Sequence, residues 1–600
     1  MGPLARLNQY YWKYKRLFIP GLLAAMASAA FSIVVPMVVR QAVDSIPRMV
    51  TLYKVFLGTP VQPYLYVDFF SSLMVFALAI VFLSLFSGVF SFLMRQTIVV
   101  ASRHIEYDLR NKLYEHLQNL SYGFYLRHAT GDLITRATSD IEQVRRYIGP
   151  AIMYVTRAVV VVVMAITTMF VISPRLTMFA LIPMPFLALS VFFVARMVHA
   201  RSDALQAQYS TLTSRVQEAL SGIRVLKAYT READEAHAFE EESDHYRRRM
   251  LDLAKVEAAW QPVFLVLVGM ATIIVVWVGG RLVIEGEITL GNIAEYIIYV
   301  AMMTWPVASV GFVTTMVQRA SASMARLNQI FDETPEVAED THTDPTITGI
   351  RGALAFRDVS FRYTPDGPWV LRDIDFEIPA GGTLAVVGRT GSGKTTLVEM
   401  IPRLLDPTEG RVEVDGRDVR EIPLGVLRKN IGYVPQEVFL FSDTVAGNIA
   451  FGNMEATEEA IAEAAREAEL LDNIRDFPEG FETFVGERGI TLSGGQKQRT
   501  SIARALIRDP RILILDDALS AVDVNTERQI LGHLRRRKGR RTLVLVSHRI
   551  SAVQDADLIL VLDESRIAER GTHDELLALD GLYAGLYRKQ LLEEEIAALG

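Results

Sequence analysis

The stretch LAVVGRTGSGKTTLVEMI, residues 384–401, indicates the fold of the second half of the chain. Its first apolar residues favour a buried strand, and GRTGSGKT (388–395) has the form GxxxxGK[ST] of a phosphate-binding loop. The remaining residues favour an amphipathic helix. The glycines let backbone amides approach phosphate oxygens, Lys394 places a positive charge near them, and Thr395 supplies a hydroxyl group to Mg²⁺. The order strand, loop and helix therefore predicts an α/β P-loop nucleotide-binding domain.

Two later strands end in polar residues of the kind that a nucleotide site uses. RILILDD (511–517) is an apolar run that ends in Asp516 and Asp517, and TLVLVSHR (542–549) is another that ends near His548. An apolar strand that ends in acids, downstream of a phosphate loop, predicts the Mg²⁺ site.

The first 320 residues have a different composition, which indicates a membrane. Half of the chain is hydrophobic and its mean hydropathy is positive. Six apolar runs are long enough to cross a bilayer, which takes about 20 residues of helix. The first run continues beyond its small residues, so we expect a retained span rather than a cleaved signal peptide. The runs cover residues 17–39, 69–97, 150–172, 174–196, 260–282 and 292–318.

The connections between the runs predict the orientation. Those after the second and fourth runs hold many Lys and Arg residues, whereas the others hold few. We therefore expect both termini and these two long connections to be cytoplasmic. Both connections keep a helical pattern with few Pro or Gly, so the spans should continue as helices and turn near 121–133 and 217–232.

Composition also indicates where the domains begin and end, and which ligands and cross-links are excluded. We expect a six-span helical membrane domain over 1–330, a linker over 331–350, the nucleotide-binding domain over 351–590 and a tail over 591–600. A net charge of −7 argues against a nucleic-acid partner. The chain has no cysteine, which excludes disulfides and Cys-ligated zinc.

The ordered motifs of the second half resemble the nucleotide-binding domain of ATP-binding cassette (ABC) transporters. That resemblance implies ATP and Mg²⁺ as ligands. It makes Tyr363 the aromatic that stacks on adenine, Gln436 of YVPQE the Q-loop glutamine and metal ligand, Asp516 the Walker B metal ligand and His548 the switch histidine. Thr395 is the third metal ligand. The implied phosphate-binding residues are Gly388, Thr390, Gly391, Ser392, Gly393, Lys394, Thr395 and Thr396, and those of the signature LSGGQ are Ser493, Gly494, Gly495 and Gln496.

The six-span half is similar to the exporter branch of that family. GDLITRATSDIEQV (131–144) and SGIRVLKAYTRE (221–232) look like its intracellular loops, and VGERG (485–489) resembles the stretch before the exporter signature. In this family two cassettes close head to tail, so that each ATP lies between the Walker motifs of one chain and the signature of the other. With one bundle and one cassette, this chain resembles half a transporter and is expected to dimerise.

Asp517 departs from the family pattern. A glutamate usually follows the Walker B aspartate and polarises the attacking water. A side chain one methylene shorter withdraws the carboxylate by more than about 1 Å, and such misplacements can reduce a rate on the order of 100-fold. Our hypothesis is a heterodimer in which this chain holds ATP with slow turnover, while its signature completes the partner's active site. The alternative is a homodimer in which Asp517 is a competent catalytic base, acting directly or through a water molecule.

The transported molecule is less determined by the sequence. Met302, Met303 and Trp305 suit hydrophobic cargo of varied shape, although helix packing is the commoner explanation for such residues. Arg157 inside the third span would favour anionic or amphipathic cargo, or would snorkel to an interface. We expect an exporter of drugs, lipids or peptides in the inner (plasma) membrane. A nucleotide-gated channel or regulator remains the alternative class, and the spans exclude a soluble ATPase.

Overall fold

The computed structural model describes residues 2–486, 492–536 and 539–599, with side chains to residue 592. The chain forms two compact units. One consists of Met1–Leu117 and Gly131–Asp332, and the other of Gln118–Thr130 and Glu333–Gly600. Most of VGERG lies outside the described residues, since 487–491 are not among them.

The first unit is helical. Among the described residues, six helical stretches are long and apolar enough to cross a membrane, which confirms the six predicted spans. Several contain proline, which membrane helices tolerate because neighbouring groups satisfy the freed carbonyls. The helices up to residue 332, of which α4 belongs to the second unit, are α1 (Asn8–Lys13), α2 (Lys15–Val55), α3 (Gln62–Asn119), α4 (Tyr122–Arg127), α5 (Thr130–Thr135), α6 (Ile141–Arg146), α7 (Ile152–Ile172), α8 (Pro174–Leu181), α9 (Pro183–Ser221), α10 (Ile223–Ala228), α11 (Glu232–Ile284) and α12 (Leu290–Asp332).

The long helices extend well beyond their apolar runs, as predicted. α3 has 58 residues and α11 has 53, and π-helical turns at Arg136–Asp140 and Tyr147–Ala151 connect α5, α6 and α7 into one stretch. α9 ends at Ser221 and α11 begins at Glu232, inside the second predicted turn. Helical backbone satisfies its own hydrogen bonds, so these helices can leave the apolar zone without interruption.

Buried polar side chains connect the membrane helices. The hydroxyl oxygen of Tyr296 on α12 lies 2.6 Å from the carbonyl oxygen of Met169 on α7 and 2.8 Å from Thr177 Oγ1 on α8. Tyr299 donates to the carbonyl of Ile33 on α2 at 3.0 Å. In apolar surroundings an unsatisfied polar group is costly, so these bonds fix the register of α12 against three helices.

The second unit is α/β. A six-stranded sheet has the order β12-β11-β3-β10-β9-β6 and is parallel except for β12, and a four-stranded antiparallel sheet has the order β2-β1-β4-β5. The strands are β1 (Leu354–Phe361), β2 (Leu371–Ile378), β3 (Thr383–Gly388), β4 (Glu409–Val414), β5 (Arg417–Asp418), β6 (Ile431–Val434), β7 (Asp443–Thr444), β8 (Phe484–Val485), β9 (Ile512–Asp516), β10 (Thr542–Val546), β11 (Leu558–Asp563) and β12 (Arg566–Gly571).

Burial follows from these sequences. β9 is apolar up to its last residue, Asp516, and β10 is apolar after its first, Thr542; both strands are buried on both faces, as is usual for central parallel strands, whereas β2 alternates buried and exposed residues. Alternate residues of the parallel strands enter two separate apolar cores. The helices of this unit, besides α4, are α13 (Lys394–Glu399), α14 (Leu424–Lys429), α15 (Val445–Ala450), α16 (Glu458–Glu467), α17 (Leu471–Arg475), α18 (Gly494–Leu506), α19 (Val524–Arg536), α20 (Ile550–Val553), α21 (His573–Ala578) and α22 (Leu582–Leu599).

We predict that Tyr296→Phe destabilises the membrane unit by about 1 kcal/mol, because the substitution removes a buried interhelical hydroxyl without changing the ring. The measurement is the thermal unfolding midpoint of the purified protein in detergent. Tyr66→Phe is the matched control, since Tyr66 is 57% exposed. Equal midpoints for the two variants would show that the hydroxyl of Tyr296 does not support the bundle.

Candidate functional site

The phosphate loop joins β3 to α13 as its sequence predicts. Gly391 and Gly393 have φ values of 85° and 93°, in the left-handed region that glycine adopts without strain. A Cβ atom at Gly393 would lie 2.8 Å from the carbonyl oxygen of Val370, so the loop also needs glycine for space. Lys394 Nζ donates to the carbonyl oxygens of Gly388 at 3.0 Å and Arg389 at 2.8 Å.

The order of the parallel strands brings distant residues to one edge of the sheet. β3, β10, β9 and β6 are neighbours, and their carboxyl ends lead into the phosphate loop, His548, Asp516 and Gln436. These segments enclose a cavity of about 260 Å³. Of the predicted site residues, the cavity lining contains Thr390, Gly391, Gly393, Lys394, Thr395, Thr396, Gln436, Asp516, Asp517 and His548.

The geometry around Asp516 suits a divalent cation. Its carboxylate is only 1% exposed and accepts a hydrogen bond from Thr395. Its Oδ2 atom is buried with no hydrogen-bond partner in the described part of the chain. Burial raises the pKa of Asp516 and lowers that of Lys394. A buried carboxylate oxygen with no partner is costly, and a hard cation with oxygen ligands would satisfy it, so these residues fit Mg²⁺.

Asp517 lies in the same cavity on a constrained backbone. Its φ of 49° is left-handed, a conformation that aspartate adopts more readily than most residues. Its N–H donates to the carbonyl of Val546 on β10 at 2.9 Å, and its own carbonyl accepts from Ser520 Oγ at 2.8 Å. The backbone of residue 517 is therefore held on both sides.

Sequence reasoning missed Gln498, which holds the loop after Asp517. Its Nε2 atom donates to Ser520 Oγ at 3.0 Å, and its Oε1 atom accepts from the N–H of Ala521 at 2.9 Å. Arg549 supports the same loop by an ion pair with Glu527 and by hydrogen bonds to the carbonyls of Ser520 and Val522. The only sequence signals were that Gln498 follows the signature by two residues and that Arg549 follows His548.

Tyr363 lies beside the phosphate-binding cavity rather than in its lining. Its hydroxyl and Thr396 Oγ1 are 2.9 Å apart, which places the ring close to the helix that follows the phosphate loop. The ring is 44% exposed and lines a second cavity of about 490 Å³ together with residues of α4. An exposed ring face beside the phosphate site is compatible with the predicted stacking on adenine.

Glu399 is a second residue that the sequence did not single out. It ends α13, is only 6% exposed and accepts a hydrogen bond from Tyr122 of α4, which belongs to the same unit. Burial, reinforced by the charge of Asp516, raises the pKa of Glu399 to about 7. A glutamate in the apolar run LVEMI was the available signal.

The signature residues do not line the cavity formed by the Walker motifs. Ser493 caps α18: its Oγ accepts from the N–H of Gln496, and Gln496 Oε1 accepts from the N–H of Ser493. Ser493 and Gly494 are exposed at this helix N-terminus, where backbone N–H groups and the helix dipole favour an anion. Gly388 and Ser392 are buried within the phosphate loop and likewise are not in the lining.

A P-loop site on a parallel sheet, carried by a chain with six apolar helices, defines a nucleotide-binding multi-pass membrane protein. The family described as ABC transporter transmembrane region matches residues 17–307, and the family described as ABC transporter matches residues 371–520. The chain belongs to the ABC transporters, as an exporter with a six-span transmembrane domain fused to an ATP-binding domain.

Individual relatives support this assignment over most of the chain. The probable multidrug resistance ABC transporter ATP-binding/permease protein YheI of Bacillus subtilis is 39% identical, covering 81% of this chain and 83% of the relative. The ATP-dependent lipid A-core flippase of Chromohalobacter salexigens is 33% identical over 98% of both chains. A bacterial Atm1-family ABC exporter solved with ATP bound superimposes with a TM-score of 0.76 at 26% identity, covering 96% of this chain and 98% of that one.

We predict that Gln498→Leu loosens the loop 517–521. The substitution removes hydrogen bonds worth about 1–3 kcal/mol from a buried side chain of similar size, so amide hydrogen exchange in this loop should accelerate roughly tenfold or more. ATP affinity should change little, because Gln498 does not line the cavity. Gln554→Leu, at an exposed position, is the control. Unchanged exchange at 517–521 would show that Gln498 does not hold the loop.

We predict a pH dependence of stability from Glu399. Its pKa rises from 4.5 to about 7 on folding, so the folded state binds the proton more tightly. Stability should therefore fall as pH rises from 4.5 to about 7, by up to about 1.4 kcal/mol per pH unit. Glu399→Gln should flatten this dependence, measured as denaturation midpoints across that range. Glu479→Gln, on the surface, should retain it, and a Glu399→Gln profile as steep as the parent's would refute the assignment.

Proposed function

We propose that this chain is one subunit of an ATP-driven exporter of amphipathic or hydrophobic molecules, such as drugs, lipids or peptides. Family membership supports this, as do relatives named for multidrug resistance and for lipid A-core flipping. We infer an inner (plasma) membrane location with both termini and the ATP-binding domain in the cytoplasm, because basic residues concentrate in the two long helical connections.

Different residues around the cavity would bind the phosphates, the adenine and the Mg²⁺ of MgATP. The backbone amides of the phosphate loop and Lys394 bind the phosphates, and Tyr363 stacks on adenine. Thr395, Gln436 and Asp516 hold Mg²⁺. When bound, Mg²⁺ neutralises charge on the phosphate oxygens. Binding is therefore supported by a complete set of groups.

The residues expected to bind ATP and Mg²⁺ are all present, but the acid that follows Asp516 is the shorter Asp517. This combination supports a pocket that binds ATP and turns it over slowly. Asp517, at the position that orients the attacking water in this family, is one methylene shorter than the usual glutamate. Its backbone N–H donates to Val546, and its carbonyl accepts from Ser520. These bonds hold the backbone of residue 517 in place, so a backbone shift that would compensate for the shorter side chain would break them. We therefore infer that this pocket binds ATP and hydrolyses it slowly.

The exposed signature supports pairing with a second cassette. Ser493 and Gly494 are exposed at the start of α18, with none of the LSGGQ residues in the lining of the chain's own cavity. We infer that they complete a pocket on a second half-transporter chain that carries a catalytic glutamate. ATP would favour cassette closure and an outward-facing bundle only to the extent that it binds that state more tightly.

One observation favours the homodimeric alternative. Gln436, Asp517 and His548 line one cavity with Lys394, so Asp517 lies among the other residues that the family pattern associates with hydrolysis. In that case Asp517 would act through an intervening water molecule, and both pockets would turn over.

Two substitutions in the purified complex separate these proposals. Asp517→Ala should leave at least about half of the steady-state ATPase activity, because the partner's pocket does most of the turnover. Gly494→Asp places a carboxylate where the partner's ATP phosphates bind and should lower activity roughly tenfold or more. A Cβ at Gly494 meets only Ala521 Cβ at 3.5 Å, so this substitution fits the fold.

A homodimer gives a different pattern, since both substitutions would then abolish ATPase activity. Retained binding of a fluorescent ATP analogue by Asp517→Ala controls for folding. Loss of activity in Asp517→Ala with binding intact would contradict the slow-pocket proposal.

A further inference from the structure

The membrane unit contains a cavity of about 470 Å³ between α2, α3, α7 and α12. Its lining includes Arg95 from α3 and Arg157 from α7, with Tyr154, Met302 and Trp305 among the other residues. None of the lining residues is acidic. Two cations among apolar and aromatic side chains favour a ligand that has both an anionic group and an apolar part.

The two arginines lie at a similar depth. α3 and α7 approach closely where a Cβ at Gly149, just before α7, would lie 2.7 Å from Ser102 Oγ. Arg95 is seven residues from Ser102 and Arg157 is eight residues from Gly149, each toward the apolar part of its helix. At 1.5 Å per residue, both lie about 10–12 Å from that contact. Their side chains therefore enter the cavity from adjacent helices at one level.

Neither guanidinium has a hydrogen-bond or ion-pair partner among the described residues of the chain. This contrasts with Arg40 in the same unit, whose Nη1 atom lies 3.4 Å from the buried carboxylate of Glu295. An unpaired cation within an apolar span is costly, and such residues tend to mark a ligand path. Two guanidinium groups suit a phosphate or carboxylate, which accepts paired hydrogen bonds.

The rest of the cavity suits an apolar body. The rings of Tyr154 and Trp305, both in the lining, meet edge to face with centroids 5.5 Å apart. Trp305 is 51% exposed, so its face is available to a ligand. Met302 adds a polarisable, adaptable surface. The volume is that of a site for a small-molecule head group and the adjoining part of its chain.

We propose that this cavity selects anionic amphiphiles: Arg95 and Arg157 bind a phosphate or carboxylate head group, and the aromatic residues cover the apolar body. This inference rests on the proposed export function and names its substrate class. Two kinds of ligand have such a head group and apolar body: membrane lipids and soluble anionic amphiphiles.

The test is equilibrium binding of two dansyl-labelled probes with the same alkyl chain, one ending in phosphate and the other in trimethylammonium. The full complex is studied without nucleotide in phosphatidylcholine nanodiscs, with fluorescence anisotropy as the readout. The phosphate probe should bind roughly tenfold more tightly. Equal affinities of the two probes would overturn the proposal.

Substitutions assign the preference to the two arginines. Arg95→Gln and Arg157→Gln should each weaken phosphate binding roughly fivefold or more, and the double variant should bind both probes equally. Arg157→Lys should retain part of the preference. Arg281→Gln is the matched control, since Arg281 pairs with Glu285 away from the cavity. Undiminished discrimination in the double variant would overturn the assignment, and binding of a fluorescent ATP analogue verifies that each variant is folded.

Adding phosphatidylglycerol to the nanodiscs tests whether the ligand is a membrane lipid or a soluble amphiphile. Displacement of the phosphate probe supports a lipid as ligand, and undiminished probe binding supports a soluble amphiphile. Probe binding requires neither ATP hydrolysis nor Asp517. Failure of the export proposal can therefore be told apart from failure of the binding-site proposal. A complex that binds the phosphate probe selectively but does not concentrate it in inside-out vesicles with ATP would refute export and leave the site standing.

Discussion

The buried carboxylate of Asp516 is the group on which the nucleotide half of this protein depends. It ends a strand that is apolar on both faces, and one of its oxygens has no partner in the described part of the chain. Such a group destabilises the fold unless a ligand satisfies it. Lys394 and Thr395, from the neighbouring loop, line the same cavity, and a bound Mg²⁺ would supply the partner that this oxygen lacks. Binding of MgATP would therefore stabilise this unit.

Local sequence patterns predicted the elements well. Six apolar runs became six long helices, and the strand, loop and helix of residues 384–401 folded as expected, because length and periodicity determine these features. The contacts of Gln498 with Ser520 and of Glu399 with Tyr122 were not predictable. Each joins segments whose approach depends on tertiary packing, and no local pattern encodes it. Arg95 was missed for a similar reason, since only its position opposite Arg157 gives it meaning.

The polar side chains fall into two groups, those whose hydrogen bonds are satisfied within the chain and those that have no partner among the described residues. In the membrane unit, Tyr296 and Tyr299 satisfy their hydroxyls within the bundle, so they stabilise structure. Asp516, Arg95 and Arg157 are left with unmet bonding capacity in the described chain. Groups of this second kind destabilise the fold and are expected where a ligand binds. The chain itself connects the units: Gln118–Thr130 belongs with the ATP-binding domain, yet it directly continues the membrane helices.

We propose that the short acid at position 517 marks this chain as one subunit of an asymmetric pair. Native mass spectrometry of the complex, affinity-purified gently from its source membrane, tests this most directly. We expect one copy of this chain together with a second polypeptide, with ATP retained on the complex. Two identical copies of this chain would contradict it and would require Asp517 to be a working catalytic base.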